Sequence, residues 1–178
     1  NTPFSSDGGW YGDIVWSGSM FGFSYYFGFG GSDFHRFVRI SALGNLVGSV
    51  EDLNDLSSMP LSLDTVWTGS EFVTGFRNYL GSDDYHVQRI DGDGARQGSD
   101  VIIATAADAS AADLTWSGSI FGLAWEHPPA DSGANQIGCV FSGLDGTTVG
   151  SEVLLGDPGG ASNSPDITWT GSQFGVVW

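Results

Sequence analysis

The sequence predicts an all-β fold, a β-propeller built from four-stranded blades, and three observations carry that prediction: a long repeat, strands with a two-residue period, and glycine-rich turns. The repeat is Asp-x-x-Trp-(Ser/Thr)-Gly-Ser-x-Phe-x-x-x-aromatic, which occurs four times in the 178 residues. Its tryptophans stand at positions 16, 67, 116 and 169, so the spacings are 51, 49 and 53 residues. A regular period of this length is typical of solenoids, propellers and arrays.

Within each repeat, large side chains alternate with small ones. In the third copy Phe121, Leu123 and Trp125 alternate with Gly122 and Ala124. A period of two indicates a strand, because successive side chains of a strand point to opposite faces of its sheet. The second face carries small residues rather than charged ones, so we expect both faces to be buried. Small sheets stacked radially, with the bulky face of one against the flat face of the next, satisfy this pattern.

Two turns recur in each complete repeat and divide it into four strands. The first contains a glycine that can supply the positive φ of a tight hairpin, and these glycines are Gly18, Gly69, Gly118 and Gly171. The second contains a glycine that is followed four residues later by a Gly-Ser pair, and these glycines are Gly44, Gly94 and Gly146. Asp91-Gly-Asp-Gly94 is therefore expected to be a hairpin turn, since it lacks the further oxygen ligands of a helix-loop-helix calcium site.

The chain is predicted to hold about three and a half repeats in a single domain, or part of one, over residues 1–178. The repeats cover approximately 10–61, 62–110, 111–163 and, incompletely, 164–178. In the first repeat we expect a loop from Tyr26 to Asp33 before the third strand. Closed propellers usually need at least four blades, and a half blade leaves an unpaired strand edge. We therefore expect another copy of the chain, or the rest of a longer polypeptide, to complete the ring.

The charge of the chain limits the classes of ligand. Its 21 acidic residues face five arginines and no lysine, which gives a formal net charge of -16. Binding to nucleic acid or to an anionic membrane rests on clustered Lys and Arg, so both are disfavoured. No apolar run is long enough to span a bilayer, so no membrane insertion is expected. Acidity of this degree suits a saline or calcium-rich exterior, and we predict an extracellular, periplasmic or cell-surface location.

Two elements of the repeat resemble a known family. Asp-x-x-Trp-Ser-Gly-Ser-x-Phe-Gly-x-x-Trp and Gln88-Arg-Ile-Asp-Gly-Asp-Gly94 are similar to repeats of secreted bacterial β-propeller proteins, and the resemblance covers nearly the whole chain. It implies a propeller fold, but similar blades occur in adhesins, lectins, lipoproteins and some enzymes, so it implies no single function. The third repeat departs from the second element and reads Val140-Phe-Ser-Gly-Leu-Asp-Gly146.

The candidate ligand-binding residues lie at the end of the blades opposite the two repeated turns. Longer and more varied connections meet there, and binding residues concentrate on such connections. The candidates are Tyr26, Asp33, His35, Tyr79, Asp83, Asp84, His86, Glu126, His127 and Asp131. Aromatic rings beside carboxylates suit carbohydrate recognition, because rings cover sugar faces and acids accept from hydroxyls. The alternative is that these residues only cap the blades.

The repeat aspartates have two interpretations. Their side chains can hydrogen-bond backbone amides where the chain enters a strand. Alternatively, Asp13, Asp64, Asp113 and Asp166 face a common axis and bind calcium or another hard cation. No motif of a serine hydrolase, a phosphate-binding loop or a zinc site is present, so no catalytic residue is assigned. The single cysteine, Cys139, is expected to be a small buried hydrophobe.

These observations favour a non-catalytic extracellular binding or interaction module with a glycan or protein ligand on the varied loop face. One alternative is a propeller enzyme, either glycan-cleaving or metal-dependent, because paired carboxylates from different blades would not show in the spacing. The other is a purely structural array of blades in a larger assembly.

Overall fold

The computed structural model describes residues 9–29, 32–56, 61–77, 84–105, 110–128, 133–156 and 160–178. Blade 1 consists of β1 (Gly9–Trp16), β2 (Met20–Phe29), β3 (Ser32–Ser41) and β4 (Leu46–Leu56). Blade 2 consists of β5 (Leu61–Trp67), β6 (Glu71–Arg77), β7 (Asp84–Asp91) and β8 (Arg96–Thr105). Blade 3 consists of β9 (Ser110–Trp116), β10 (Phe121–His127), β11 (Gln136–Ser142) and β12 (Val153–Leu155). Blade 4 consists of β13 (Asp166–Trp169) and β14 (Phe174–Val177).

Each of the first three blades is an antiparallel sheet in which the strands pair in sequence order. The four-stranded unit predicted from the repeat is therefore confirmed. The first strands of neighbouring blades, β1, β5, β9 and β13, contact one another, so they form the inner side of the stack. Among the described residues, no helix is long and apolar enough to cross a bilayer.

The loop predicted from Tyr26 to Asp33 is wrong. β2 and β3 form a hairpin that stays paired as far as Phe29 and Ser32. The cause is visible in the sequence, because Phe27 and Phe29 continue the alternation of large and small residues that marks the earlier part of β2. The strand therefore runs on through the aromatic residues.

A hydroxyl side chain closes the first turn of every blade. In blade 1 the Ser17 N–H donates to the Met20 carbonyl oxygen at 2.9 Å, and Ser17 Oγ accepts the Met20 N–H at 3.1 Å. Thr68, Ser117 and Thr170 make the same pair of bonds in the other blades. The glycine after each hydroxyl residue has a φ between 97° and 104°, which residues with a Cβ rarely adopt. The Ser/Thr-Gly signature is thus a requirement of the turn.

The second turn is a three-residue hairpin loop that ends on a glycine. In blade 2 the Gly94 N–H donates to the Asp91 carbonyl oxygen, and the Asp91 N–H donates to the Ala95 carbonyl oxygen, both at 2.9 Å. Asp91 Oδ1 also accepts the N–H groups of Asp93 and Ala95. The same backbone bonds close residues 41–45 and 143–147. The hairpin turn predicted at Asp91 to Gly94 is confirmed.

Neighbouring blades stack with an aromatic ring of one on a glycine of the next. A methyl group built on Gly22 would lie 2.5 Å from the Phe72 ring, and one built on Gly122 would lie 2.7 Å from the Phe174 ring. Real Cβ atoms do not come this close to other atoms, so the contact requires glycine. The sequence prediction of a bulky face on a flat face is confirmed at these two junctions.

Each repeat tryptophan packs on the phenylalanine that follows it five residues later in its own blade. The ring centroids of the four pairs are 4.6 to 4.8 Å apart, at interplanar angles of 55° to 57°. Tilted contacts of this kind are favourable for aromatic pairs. The tryptophans therefore serve the packing of the blades.

The single cysteine lies in the apolar cluster between blades 3 and 4. Cys139 is 2% exposed and packs with Ala124, Ile137 and Ile167. Burial, with a smaller contribution from the charge of Glu152, raises the pKa of its thiol to about 11. The predicted burial of Cys139 in an apolar environment is therefore confirmed.

Blade 4 presents apolar side chains to solvent. Val177 is 67% and Trp178 is 54% exposed, and β14 pairs with β13 alone among the described strands. A strand edge of this kind is a template for further pairing. That another copy of the chain or further polypeptide covers it stays a prediction.

Candidate functional site

The repeat aspartates connect the inner strands of neighbouring blades. Asp13 Oδ2 accepts the Thr65 N–H at 2.6 Å, and Asp113 Oδ2 accepts the Ile167 N–H at 2.7 Å. Thr65 and Ile167 each directly follow the aspartate of the next repeat. These two carboxyls thus bond backbone amides, as the first sequence interpretation has it, but the amides belong to the following blade.

Asp64 is the exception in this row of carboxyls. Its Oδ2 accepts the hydroxyl hydrogen of Tyr85, whose oxygen lies 2.6 Å from where Gly75 would carry a Cβ. Burial raises the pKa of Asp64 well above its ordinary value, the charges of Asp113 and Asp13 add to the effect, and the Tyr85 hydrogen bond opposes it. These effects favour the neutral, protonated form of the Asp64 carboxyl, which reduces charge repulsion among the neighbouring aspartates.

Asp113 and Asp166 form a carboxyl pair at the junction of blades 3 and 4. The pKa of Asp113 is raised to about 6, chiefly by burial, while the neighbouring Asp166 carboxyl raises it and the Ile167 N–H lowers it. Asp166 itself is exposed. A carboxyl group whose pKa lies near 6 can take up or release a proton close to neutral pH, which makes Asp113 the candidate of this row for acid–base chemistry.

The aspartate row does not form a metal site in the structure. Within the residues that the structure describes, no group of three or more His, Cys, Asp and Glu side chains lies close enough together to hold an ion. Two of the four carboxyls are engaged by backbone amides, and a third by a tyrosine hydroxyl. Calcium binding by Asp13, Asp64, Asp113 and Asp166 stays a prediction without a built site.

Two residues predicted on the loop face lie inside the stack instead. Tyr26 is 4% and His35 is 0% exposed. His35 Nε2 lies 3.3 Å from Thr74 Oγ1 of blade 2, and its ring meets Phe76 edge-on with centroids 5.1 Å apart. Burial lowers the pKa of His35 to about 3. The expectation that Tyr26 and His35 lie on the exposed loop face is wrong, because β2 and β3 continue past both residues and their side chains are buried.

The candidate ligand-binding residues that the structure describes in blade 2 are also buried. Asp84 and His86 are 7% and 9% exposed. His86 Nδ1 lies 2.6 Å from Asp100 Oδ2 on the outermost strand, and its ring stacks on Phe76 at 5.6 Å. His86 therefore takes part in an ion pair or hydrogen bond across its own sheet rather than in a surface cluster.

Of four further candidates, one belongs to a described strand and three lie outside the described residues. Asp33 belongs to β3 and pairs through its backbone with Gly28 and Leu56. Tyr79, Asp83 and Asp131 lie outside the described residues.

Glu126 and His127 are the half-buried candidates, and they lie side by side at the end of β10. Glu126 Oε1 accepts the N–H of Ser164 at 2.7 Å. His127 Nδ1 lies 2.9 Å from the Pro128 carbonyl oxygen, which can only accept, so Nδ1 carries the proton. His127 Nε2 then faces Glu152 Oε1 at 3.5 Å.

The blades differ most where their second strand approaches the loop end. By register, Tyr26, Arg77 and Glu126 occupy one position, and their partners on the third strands are His35, Tyr85 and Ile137. An aromatic, a base and an acid therefore replace one another here, while the first turn at the other end keeps its Ser/Thr-Gly-Ser sequence in every blade. A shared scaffold with variation at one end is the usual arrangement of a binding face.

Sequence reasoning missed a groove between blades 2 and 3. Its volume is about 300 Å³, and its lining includes Ile103, Trp125, Val140, Thr148, Ser151 and Glu152. The groove exists because β12 has 3 residues, whereas β4 and β8 have 11 and 10. The departure of the third repeat at residues 140–146 is the one sequence signal near this place.

Comparisons with known proteins bear on the fold. No protein-family model matches the chain, and no curated protein matches it by sequence. It is similar to an endo-arabinase from Bacteroides thetaiotaomicron, at 13% identity and a TM-score of 0.60 over 99% of this chain and 72% of that one. It is also similar to an α-L-arabinofuranosidase from Clostridium thermocellum, at 17% identity and a TM-score of 0.53 over 92% of this chain and 58% of that one. Both are β-propellers.

The chain has the β-propeller fold. Identities of 13% and 17% show the fold alone. It spans less than two thirds of the arabinofuranosidase.

Proposed function

We propose that this propeller is a glycan-binding module whose ligand lies at the loop end of the blades. The observation that carries the proposal is the half-buried carboxyl of Glu126 at the loop end of β10, at a position that Tyr26 and Arg77 fill with buried side chains in the other blades. Variation confined to one end of a repeated scaffold supports a role in recognition there. The net charge of -16 argues for a neutral ligand rather than an anionic one.

Carbohydrate is the neutral ligand that the chemistry and the fold favour together. Carboxylates such as Glu126 accept hydrogen bonds from sugar hydroxyls. The two similar propellers are named as an arabinase and an arabinofuranosidase, which supports a glycan as ligand and makes arabinan the first probe. Glycans of this type lie outside cells, so we place the propeller in the extracellular or periplasmic space.

Calorimetry with linear arabinan oligosaccharides and a panel of other plant and bacterial oligosaccharides tests the proposal. We expect saturable binding of at least one of them. Glu126→Gln is expected to weaken that binding by roughly tenfold or more, because a charged acceptor is lost, while the glutamine oxygen can still accept the Ser164 N–H. Asp93→Asn, a change of a fully exposed acid in the second turn of blade 2, is the matched control and should bind like the unaltered chain. No binding to any oligosaccharide would refute the proposal.

A second candidate is a glycan-cleaving enzyme, and the raised pKa of Asp113, about 6, favours it. Glycosidases use two carboxyl groups roughly 5 to 9.5 Å apart. Asp113 and Asp166 are within hydrogen-bonding reach of each other, which is closer than either standard arrangement. We therefore expect no release of reducing ends from arabinan. If reducing ends are released and Asp113→Asn abolishes that release, the protein is a glycan-cleaving enzyme and the binding-module proposal is wrong.

A further inference from the structure

We propose that the groove between blades 2 and 3 is a second binding site, which takes a single sugar ring or another neutral polyol of that size. The choice of ligand class rests on the proposed function, whereas the site itself rests on the groove. Three features carry it: an acid without the base that its counterpart in blade 2 has, a buried indole N–H without an acceptor, and a wall that combines hydroxyl and apolar groups.

The first feature is Glu152, the acid on the outer edge of blade 3. In blade 2 the corresponding acid is Asp100, which lies 2.6 Å from His86 on the third strand. His86 pairs with Ile102, two residues after Asp100. In blade 3 the same register pairs Gly138 with Leu154, two residues after Glu152. The acid is kept, but glycine stands where the base would be.

The contacts that Glu152 does make are weak. Its side chain is 42% exposed, and its Oε1 lies 3.5 Å from His127 Nε2. An exposed pair at this distance contributes little to stability. Glu152 is therefore free to turn towards a ligand in the groove at small cost.

The second feature is the indole of Trp125, which occupies the space that Gly138 leaves open. A methyl group built on Gly138 would lie 2.6 Å from Trp125 Cε2 and 3.0 Å from Glu152 Oε1. The indole and the carboxylate therefore both border the space that Gly138 leaves open. The Trp125 N–H is buried and finds no acceptor among the described residues. A buried donor in this state is unfavourable, and a ligand oxygen would satisfy it once Glu152 turns aside.

The third feature is the chemistry of the wall, and it selects a neutral polyol. The indole N–H donates, the Glu152 carboxylate accepts, and the hydroxyls of Thr148 and Ser151 do either. Ile103 and Val140 supply an apolar surface for C–H groups. Glu152 disfavours an anion, and the donors and acceptors of the wall match the hydroxyl groups of a polyol. A volume of about 300 Å³ is at the lower end of ligand pockets, which fits one ring rather than a chain.

Indole N–H resonances of the ¹⁵N-labelled chain test the site directly. The seven tryptophans give one indole signal each, and the signal missing from Trp125→Phe identifies Trp125, with triple-resonance assignment as the route if that variant does not fold. The probes are methyl glycosides of arabinofuranose, xylose, galactose and glucose. We expect the Trp125 signal to move saturably with at least one of them.

A change in Glu152 distinguishes this site from the loop face. Glu152→Gln is expected to weaken the Trp125 response by at least about tenfold, whereas Asp145→Asn, which removes an exposed acid from the neighbouring turn, should leave it unaltered. A Trp125 signal that stays fixed while oligosaccharides bind by calorimetry would overturn the groove but not the proposed function. A Trp125 response that is unchanged in Glu152→Gln would also overturn the groove proposal. A Trp125 response combined with unaltered oligosaccharide binding in Glu126→Gln would support the groove and refute the loop face.

Discussion

Replacing Gly22 by valine is expected to destabilise the chain by about 3 kcal/mol or more, near or above the upper end for overpacked cores. The new Cβ would meet the Phe72 ring at 2.5 Å and the Phe37 ring at 2.9 Å. Both rings are fully buried, at 0% and 1% exposure, so neither can swing away without opening the junction between blades 1 and 2. Urea unfolding followed by tryptophan fluorescence measures the loss.

Gly175→Val is the matched control, because Gly175 holds the same place in the repeat on blade 4. The atoms nearest to a Cβ there are the Thr168 and Thr170 methyl groups, each at 3.9 Å, and no described blade covers that face. We expect its free energy of unfolding to stay within about 0.5 kcal/mol of the unaltered chain. Equal losses from Gly22→Val and Gly175→Val would show that the stacking of blades is not what requires glycine.

Acidification from pH 7 to pH 4 is expected to remove about 3 kcal/mol of stability through His35 alone. Burial lowers its pKa in the folded state from 6.5 to about 3, so only the unfolded chain binds this proton over that range. The contribution is complete above pH 6.5 and is lost as the pH falls towards 3. The measurement is the free energy of unfolding at pH 7 and pH 4 for the unaltered chain and for His35→Gln, which cannot titrate.

The comparison with His35→Gln is needed because the aspartates act in the opposite direction. Burial raises the pKa of Asp13 and Asp113, so the folded state gains stability from them as the pH falls. The difference between the two chains cancels these terms. His127→Gln, a change of a partly exposed histidine, is the control and should follow the unaltered chain. A pH dependence that is the same in His35→Gln would contradict the burial of a neutral His35.

The fold was predictable because its signals are local and occur several times. The Ser/Thr-Gly turn needs a hydroxyl and a positive φ within four residues, and the same requirement is met at Ser17, Thr68, Ser117 and Thr170. The alternation of Phe121 and Gly122 likewise reports directly on the two faces of one strand. Each copy confirms the others, so a weak signal becomes a strong one.

The burial and the hydrogen-bond partners of individual site residues were not predictable from the sequence, because they depend on contacts between blades. The Asp13 carboxyl bonds a residue 52 positions away, and His35 reaches Thr74 across the same junction. Nothing in the spacing tells whether a histidine near a predicted loop lies at the surface or inside. The exposure of His35 depends on how far β2 extends, and β2 runs three residues beyond Tyr26, through residues that the sequence predicts as a loop.

The groove could not be predicted from the sequence for a different reason. It arises from what is missing in blade 3, namely most of the fourth strand and the base opposite Glu152. A missing interaction can be recognised only by comparing the registers of two blades, as with His86 and Gly138. The sequence shows that the third repeat diverges. Only the strand register shows that this divergence leaves Glu152 without the base that pairs with Asp100 in blade 2.

Hydrogen–deuterium exchange with and without a bound oligosaccharide tests the central claim most directly, which is that the loop end of this propeller binds a glycan. Using linear arabinan oligosaccharides, or whichever oligosaccharide binds by calorimetry, we predict slower exchange at the loop ends of β2, β6 and β10. The turns at 17–20 and 41–45 should exchange at unaltered rates. Slower exchange confined to those turns, or no change anywhere under saturating ligand, would contradict the account.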